Sequence, residues 1–333
     1  MTKGAKMGNL STTYMGLELE NPILVASCSL TKTVEGVKKC ADAGAGAVVL
    51  KSLFEEQIDV DVKDIEKHLM PYWHPEALDY VQQMGMSFGP KEYIAIIKEA
   101  RKAVSIPVIA SLNCISPKWW IAYAKQIVDA GADGLELNIA MMPSNPERTG
   151  KEIEDIYLRI VSDVRAHIEI PIAVKIAPYF TSLGRFAIEL RKSGANALVL
   201  FNRFYQPNID IEKVELAPGY NFSSPQDMGL SLRWVALLSG RIGCDLAAST
   251  GIHDSAGVIK QLLAGATVVQ LCSTLYLNGL KRIKTVTKEL SSWLARHGFD
   301  SVTEVRGTLS QLQSDKPELY ERIQYIKALV GIE

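Results

Sequence analysis

One phrase recurs four times along this chain: a small residue, Gly-Ala, a short apolar run, then a polar residue. It reads A-G-A-G-A-V-V-L-K at 43–51, A-G-A-D-G-L-E-L-N at 130–138, S-G-A-N-A-L-V-L-F-N at 193–202 and A-G-A-T-V-V-Q-L at 264–271. Glycine closes a helix well because it accepts left-handed backbone after the last helical residue. The continuous, β-branched run that follows suits a strand buried on both faces. A polar residue at the end of such a strand is a candidate ligand contact, since βα units bind ligands at their carboxyl ends. The phrase therefore predicts helix, glycine turn, buried strand and polar tip, repeated around one mouth.

Four more segments carry strand punctuation. I-P-V-I-A-S-L-N at 106–113 and I-P-I-A-V-K-I-A-P at 170–178 enter through Ile-Pro, where proline at the strand start removes no ladder bond. N-P-I-L-V-A-S at 21–27 is the first strand and C-D-L-A-A-S-T-G at 244–251 the seventh. Helical patterns lie between them at about 33–43, 90–104, 118–130, 149–167, 181–193, 229–240, 254–264 and 279–297, with Ser182 and Asp254 as N-cap candidates. Strict alternation implies parallel strands and right-handed crossovers, and eight of each predicts an α/β fold, a (β/α)8 TIM barrel. A doubly wound sheet is the alternative, but no G-x-G-x-x-G follows the first strand. Two connections, 52–89 after the second strand and 203–228 after the sixth, exceed the usual length and leave from carboxyl strand ends. Both are expected to roof the mouth, and a helix near 316–330 to pack outside. The whole chain, 1–333, reads as one domain.

Bulk properties exclude several function classes. A net charge of −1 supplies no pull toward nucleic acid or an anionic membrane. No run of eighteen apolar residues could span a bilayer, and the N-terminus lacks a signal-peptide core. The five cysteines are odd in number and form no C-x-x-C, which points to reduced thiols in a cytoplasm without disulfide, zinc or iron–sulfur frame. A cytoplasmic homodimer acting on a small molecule is the expected setting.

Lys175 is the sharpest candidate. Ala173 and Lys175 share one face of their strand, and Ile172, Val174 and Ile176 the other. A lysine inside an apolar strand is seldom buried without a partner. It is either a rim lysine, a cation held against an anionic or electron-accepting ligand, or an amine tuned for a Schiff base. Lys51 has the same status at the end of the second strand. Asn138 and Asn202 end the fourth and sixth strands, and amides facing one mouth suit a planar, amide-rich ligand. A-A-S-T-G-I-H-D at 247–254 and L-C-S-T-L at 271–275 follow the seventh and eighth strands, where barrels bind phosphate. Ser249, Thr250, Gly251 and Ser273 are small or hydroxylated, as that role requires. The five histidines show neither metal spacing nor a triad, and Trp119-Trp120 reads as packing.

Together these segments resemble the soluble, class-one-like branch of the dihydroorotate dehydrogenase family, from residue 21 to 307. The most specific pieces are V-V-L-K-S (48–52), E-L-N (136–138), V-K-I-A-P-Y-F (174–180) and G-A-T-V-V-Q-L (265–271). The resemblance implies a flavin mononucleotide (FMN) barrel that oxidises a dihydropyrimidine, as dihydroorotate to orotate. It implies that Ala26, Ser27, Lys51, Ser52 and Asn138 border the isoalloxazine, that Lys175 sits by its N1/O2 edge, and that Thr250, Gly251, Cys272 and Ser273 hold the phosphate.

The substrate side departs from that pattern. After the fourth-strand asparagine the family carries N-x-S-C-P-N or N-x-S-S-P-N, whose Cys or Ser is the base; here N-I-A-M-M-P-S-N-P puts Met141 there. Ser144 is the nearest hydroxyl that could stand in. The family's N-S-M-G-L-P-N becomes Q-Q-M-G-M-S-F at 82–88, and its N-S after the sixth strand becomes Asn202-Arg203, a new cation at the mouth. The glycine-rich loop before the sixth helix becomes N-F-S-S-P-Q-D-M-G at 221–229. Asn138, Asn202 and Arg203 are the expected substrate contacts, with Lys51 also beside the reacting centre. Two other readings stand beside a flavin oxidoreductase: a flavin-binding barrel without turnover, serving as sensor or interaction module, and a lyase using Lys175.

Overall fold

A computed structural model describes residues 8–54, 91–113, 117–203, 208–217 and 221–321. The chain opens with an antiparallel hairpin, β1 (Thr12–Tyr14) and β2 (Leu17–Leu19). Eight parallel strands follow: β3 (Ile23–Val25), β4 (Ala47–Val49), β6 (Val108–Asn113), β7 (Gly134–Asn138), β8 (Ile172–Ile176), β9 (Ala197–Leu200), β12 (Asp245–Ser249) and β13 (Val268–Leu271). The β4–β6 pairing closes the ring, and a short strand β5 (Leu53–Phe54) extends along β6 beyond the end of β4. The expected (β/α)8 barrel is the fold.

Helices lie at each of the eight predicted spans, and two short ones, at 273–278 and 302–305, lie outside them. They are α1 (Val34–Asp42), α2 (Lys91–Ala103), α3 (Pro117–Asp129), α4 (Gly150–Arg165), α5 (Leu183–Lys192), α6 (Met228–Leu238), α7 (Ser255–Ala264), the short α8 (Ser273–Asn278) and α9 (Lys281–His297), followed by the single turn α10 (Val302–Val305). Asp254 caps α7 by accepting from the Gly257 N–H at 2.8 Å. Ser182 occupies the N-cap of α5 but makes no cap bond. The four glycines of the repeated phrase, Gly44, Gly131, Gly194 and Gly265, all have positive φ, between 86° and 119°. That conformation ends each helix and aims the chain into the next strand.

Two apolar layers result. Ile172, Val174 and Ile176 face outward against the helices, while Ala173 faces the barrel interior with Ala197, Val199, Ala247 and Val268. The first hairpin stoppers the amino-terminal end of this interior. Its turn, Met15-Gly16, has φ of 54° and 79°, the paired positive values of a tight hairpin turn. Tyr14 and Met15 join the inner cluster, and the Met15 N–H donates to Asp245 Oδ2 at 2.7 Å. The opposite mouth is left for the site.

Of the two long connections, residues 55–90 lie outside the described residues, and with them the 82–88 motif, His68 and His74. The second connection carries a hairpin, β10 (Asn208–Asp210) with β11 (Glu215–Ala217). Where the C-terminal helix is expected the described residues hold a 3-10 turn, Pro317–Tyr320, and residues from 322 onward lie outside the described part, as does Cys114. Trp119 and Trp120 are packed in the core, Trp119 stacked on Tyr123 at 5.3 Å. No described helix is long and apolar enough to cross a membrane, and the described residues hold no metal-binding cluster.

Candidate active site

The carboxyl ends of the eight strands bring the predicted residues to one mouth. Its floor is polar and spans the barrel. Glu136 on β7 and Gln270 on β13 stand four strands apart in the eight-strand ring, so they face each other across it. Gln270 Nε2 donates to Glu136 Oε2 at 2.7 Å. Lys175 on β8 comes within 3.7 Å of Glu136 Oε1, and this pair is buried. A carboxylate inside a barrel needs a counter-charge and donors, and Lys175 and Gln270 supply them. Glu136 Oε1 and Gln270 Oε1 accept no hydrogen bond among the described residues. The Lys175 ammonium, with three donors and one ion-pair contact, retains donors for a ligand above it.

Above this floor the walls differ in character. On one side a chain of hydroxyls runs from the mouth inward: Ser27 Oγ to Ser52 Oγ at 3.0 Å, then Ser52 Oγ to Ser111 Oγ at 2.8 Å. Tyr93 on α2 fixes its inner end, donating to the Ser111 carbonyl at 3.1 Å and accepting from the Ser111 N–H at 2.8 Å. Ala26 is buried beside Ser27, and Lys51 lies half-exposed with its ammonium 5.4 Å from the centre of the Phe54 ring. Next along the ring, Asn138 pairs in register with Lys175, and Asn202 Nδ2 donates to Asn138 Oδ1 at 2.7 Å. That bond leaves the Asn138 amide hydrogens and the Asn202 carbonyl oxygen available, a donor and an acceptor on adjacent groups. Arg203, one residue on, donates to the Asn221 carbonyl and makes no ion pair with a described residue.

The third wall lies between β12 and β13. Ser249 is buried at the end of β12, and Thr250 and Gly251 follow it with φ of 75° and 76°. The Gly251 N–H donates to Ser223 Oγ at 3.3 Å, and Ser223 reaches Ser273 Oγ from both its N–H and its hydroxyl at 3.0 Å. His253 Nε2 stands 3.4 Å from the same Ser223 hydroxyl. Hydroxyls and loop N–H groups beside helix starts form the donor set that suits a phosphate, and the buried Lys175 suits negative charge on a ring. The residues present fit a flavin nucleotide. Cys272 immediately precedes Ser273, and its thiol feels the Lys175 charge.

Ser144 is exposed in the loop after β7, and no hydrogen bond joins its hydroxyl to this cluster. Met141, in the same loop, is half-buried, its N–H directed at the Tyr157 hydroxyl at 3.3 Å. Sequence reading missed Ser223, His253, Ser111, Glu136 and Gln270 as parts of the site. The alternation along β7 could have flagged Glu136, which shares the inward face of Asn138.

A family model described as dihydroorotate dehydrogenase matches residues 9–294. The chain belongs to the dihydroorotate dehydrogenase family. It is thereby a flavin-dependent oxidoreductase acting on CH–CH bonds. Similar proteins include the catalytic subunit of dihydroorotate dehydrogenase B (NAD(+)) of Thermoplasma volcanium, 27% identical over 90% of this chain and 98% of that one. Those of Methanocella arvoryzae (28% over 84% and 91%) and Pyrococcus abyssi (25% over 90% and 98%) bear the same description. Within the dihydroorotate dehydrogenase family, the lysine-bearing fifth barrel strand and the serine-rich third wall are thus the features to which a function must answer.

Proposed function

We propose that this dihydroorotate dehydrogenase homologue binds one FMN per chain and oxidises a planar, amide-containing ring related to, but distinct from, dihydroorotate. The carrying observation is Lys175 buried inside the barrel, in the same ring whose β12 and β13 carboxyl ends carry a hydroxyl-rich cluster. Ser249, Thr250, Gly251, Cys272 and Ser273 would hold the phosphate, and Ala26, Ser27, Lys51, Ser52 and Asn138 would border the ring. Bound there, the flavin supplies a two-electron acceptor. Lys175 offsets the negative charge that gathers on it, and Asn138 and Asn202 orient the substrate amide. Arg203 anchors an acidic group of the substrate, which a guanidinium without an ion pair among the described residues favours.

Met141 supports the divergence of the substrate side. Its thioether carries no exchangeable proton, so proton removal falls to another group, with Ser144 as the candidate. The same residue supports a second reading, a flavin-binding barrel without dihydroorotate turnover that serves as a sensor or interaction module. A cytoplasmic homodimer of single-domain chains completes the proposal. The β10–β11 hairpin supports self-association, with Ile211 80% and Val214 86% exposed.

Two measurements test this. Heat-released supernatant of fresh protein should carry the flavin absorption bands and chromatograph as FMN; a colourless protein that takes up no added cofactor would sink the reading. Dihydroorotate should then reduce the bound flavin slowly or not at all in stopped flow, while dithionite bleaches it, because loss of a general base costs ~10²–10⁴ in rate. Fast, saturable reduction by dihydroorotate would overturn the divergence.

A further inference from the structure

Cys28 and Cys272 lie at the mouth, just past the carboxyl ends of neighbouring strands of the ring. β3 and β13 pair through Val25 and Leu271, and the Ala26 N–H donates to the Leu271 carbonyl at 2.9 Å. A little further out, Ser29 is tied to the Tyr276 hydroxyl, through its N–H at 3.0 Å and its own hydroxyl at 2.5 Å. Between these two ties the Cys28 and Cys272 side chains lie close enough for each to shift the other's protonation. Both are partly exposed, whereas Cys40 is buried on the inner face of α1. Strand pairing on one side and a tyrosine clamp on the other hold the two thiols close to each other, the arrangement a disulfide needs.

We propose that Cys28 and Cys272 form a dithiol that peroxide oxidises to a disulfide, with Cys28 the attacking sulfur and Cys272 the resolving one. The Cys28 thiolate attacks one peroxide oxygen, the O–O bond breaks, and the leaving hydroxide takes up a proton as water. Cys28 is then a sulfenic acid. The Cys272 sulfur attacks it, the S–O bond breaks, and a second water leaves with the Cys272 proton. Two electrons pass from the dithiol to the peroxide.

The local electrostatics agree with these roles. The neighbouring Cys272 side chain draws the Cys28 thiol down to about 7, helped by the Leu30 and Thr31 backbone and Tyr276 against the opposing effect of burial. Cys28 and burial push Cys272 up, so it stays protonated. Burial pushes Cys40 and Cys244 up to about 12, which leaves them inert beside the pair. The disulfide would tie the loop after β3 to the start of α8, next to Ser273.

The test is thiol mapping on the full-length protein. Protein is treated with stoichiometric hydrogen peroxide, blocked with N-ethylmaleimide, digested and analysed by mass spectrometry. We expect a linked peptide joining Cys28 to Cys272, with Cys40 and Cys244 still free. Cys272→Ser should trap Cys28 as a sulfenic acid captured by dimedone, and Cys28→Ser should leave Cys272 reduced. Labelling of both cysteines in peroxide-treated wild type, or a bridge from Cys28 to any other cysteine, would overturn the proposal. So would oxidation of Cys272 at the wild-type rate in Cys28→Ser. The wild-type map stands alone should either variant fold poorly.

Discussion

At Lys175 the chain holds an ammonium inside a β-strand, with the Glu136 carboxylate 3.7 Å away and an amide from the far side of the barrel completing the group. Removing one member of a buried pair exposes the other to an uncompensated charge. Lys175→Ala should therefore weaken flavin binding or lower the flavin's reduction potential, at a cost of about 1.5–3 kcal/mol for a lost charge-assisted hydrogen bond. Equilibrium titration of apoprotein with FMN and a dye-coupled potential measurement check this, and unchanged values in both would make Lys175 a packing residue. At Cys28, the sulfur faces Cys272, Tyr276 and the backbone of Leu30 and Thr31, and its thiol is drawn down to about 7. The thiolate is thus the main form above pH 7 and is lost as pH falls through that value. Alkylation of Cys28 by iodoacetamide should follow the same course. Cys40 and Cys244, near 12, should stay unlabelled at pH 8 in the folded protein, as peptide mass mapping would show.

Elements place these residues through their ends. The turn after β12 presses against the start of α6: a Cβ on Gly251 would lie 2.2 Å from the Met228 nitrogen and 2.8 Å from the Asp227 carbonyl carbon. Both neighbours are backbone and cannot swing away, and the φ of 76° adds strain for any side chain. Gly251→Ala should cost about 1–3 kcal/mol from the backbone alone and abolish FMN uptake by moving the Ser223–Ser273 contact. Thermal melting and flavin titration read the two effects separately. Asp254→Ala removes only the cap of α7 and should cost about 1 kcal/mol, seen in urea unfolding, with flavin affinity kept. If the cap variant lost flavin as completely as the glycine variant, the turn after β12 would not be the specific determinant.

For the molecule as a whole, the first hairpin decides which mouth is open. Tyr14 is fully buried in the barrel interior, and its hydroxyl has no hydrogen-bond partner among the described residues. Burial accordingly raises its pKa well above the ordinary value and keeps it protonated. Tyr14→Ala should destabilise the protein by about 3–5 kcal/mol through the cavity it leaves. Tyr14→Phe should be neutral or stabilising, since it removes a buried, unsatisfied polar atom without changing shape. Urea denaturation of both variants checks the pair, and a large loss in the phenylalanine variant would reveal a partner for that hydroxyl.

The barrel was legible in the sequence because its determinants are local. A glycine at four of the helix ends, a β-branched run after each and a polar tip are read within ten residues, and strand alternation alone turned Lys175 inward. The same locality made Asn138, Asn202, Ser249 and Ser273 visible as strand-end residues. What the tertiary structure alone decided is which distant residues meet. Glu136 and Gln270 bond across the ring from strands 134 residues apart. The Ser27–Ser52–Ser111 chain joins three separate strand ends. Ser223 and His253 join the Ser273 cluster from a long connection and a turn whose sequences carry no periodic signal. The N-terminal stopper escaped notice because two three-residue strands are too short for periodicity to register. Their place depends on an aspartate more than two hundred residues later in the chain, Asp245, accepting the Met15 N–H. Closing the barrel sets those distances, and no pattern within one segment encodes them.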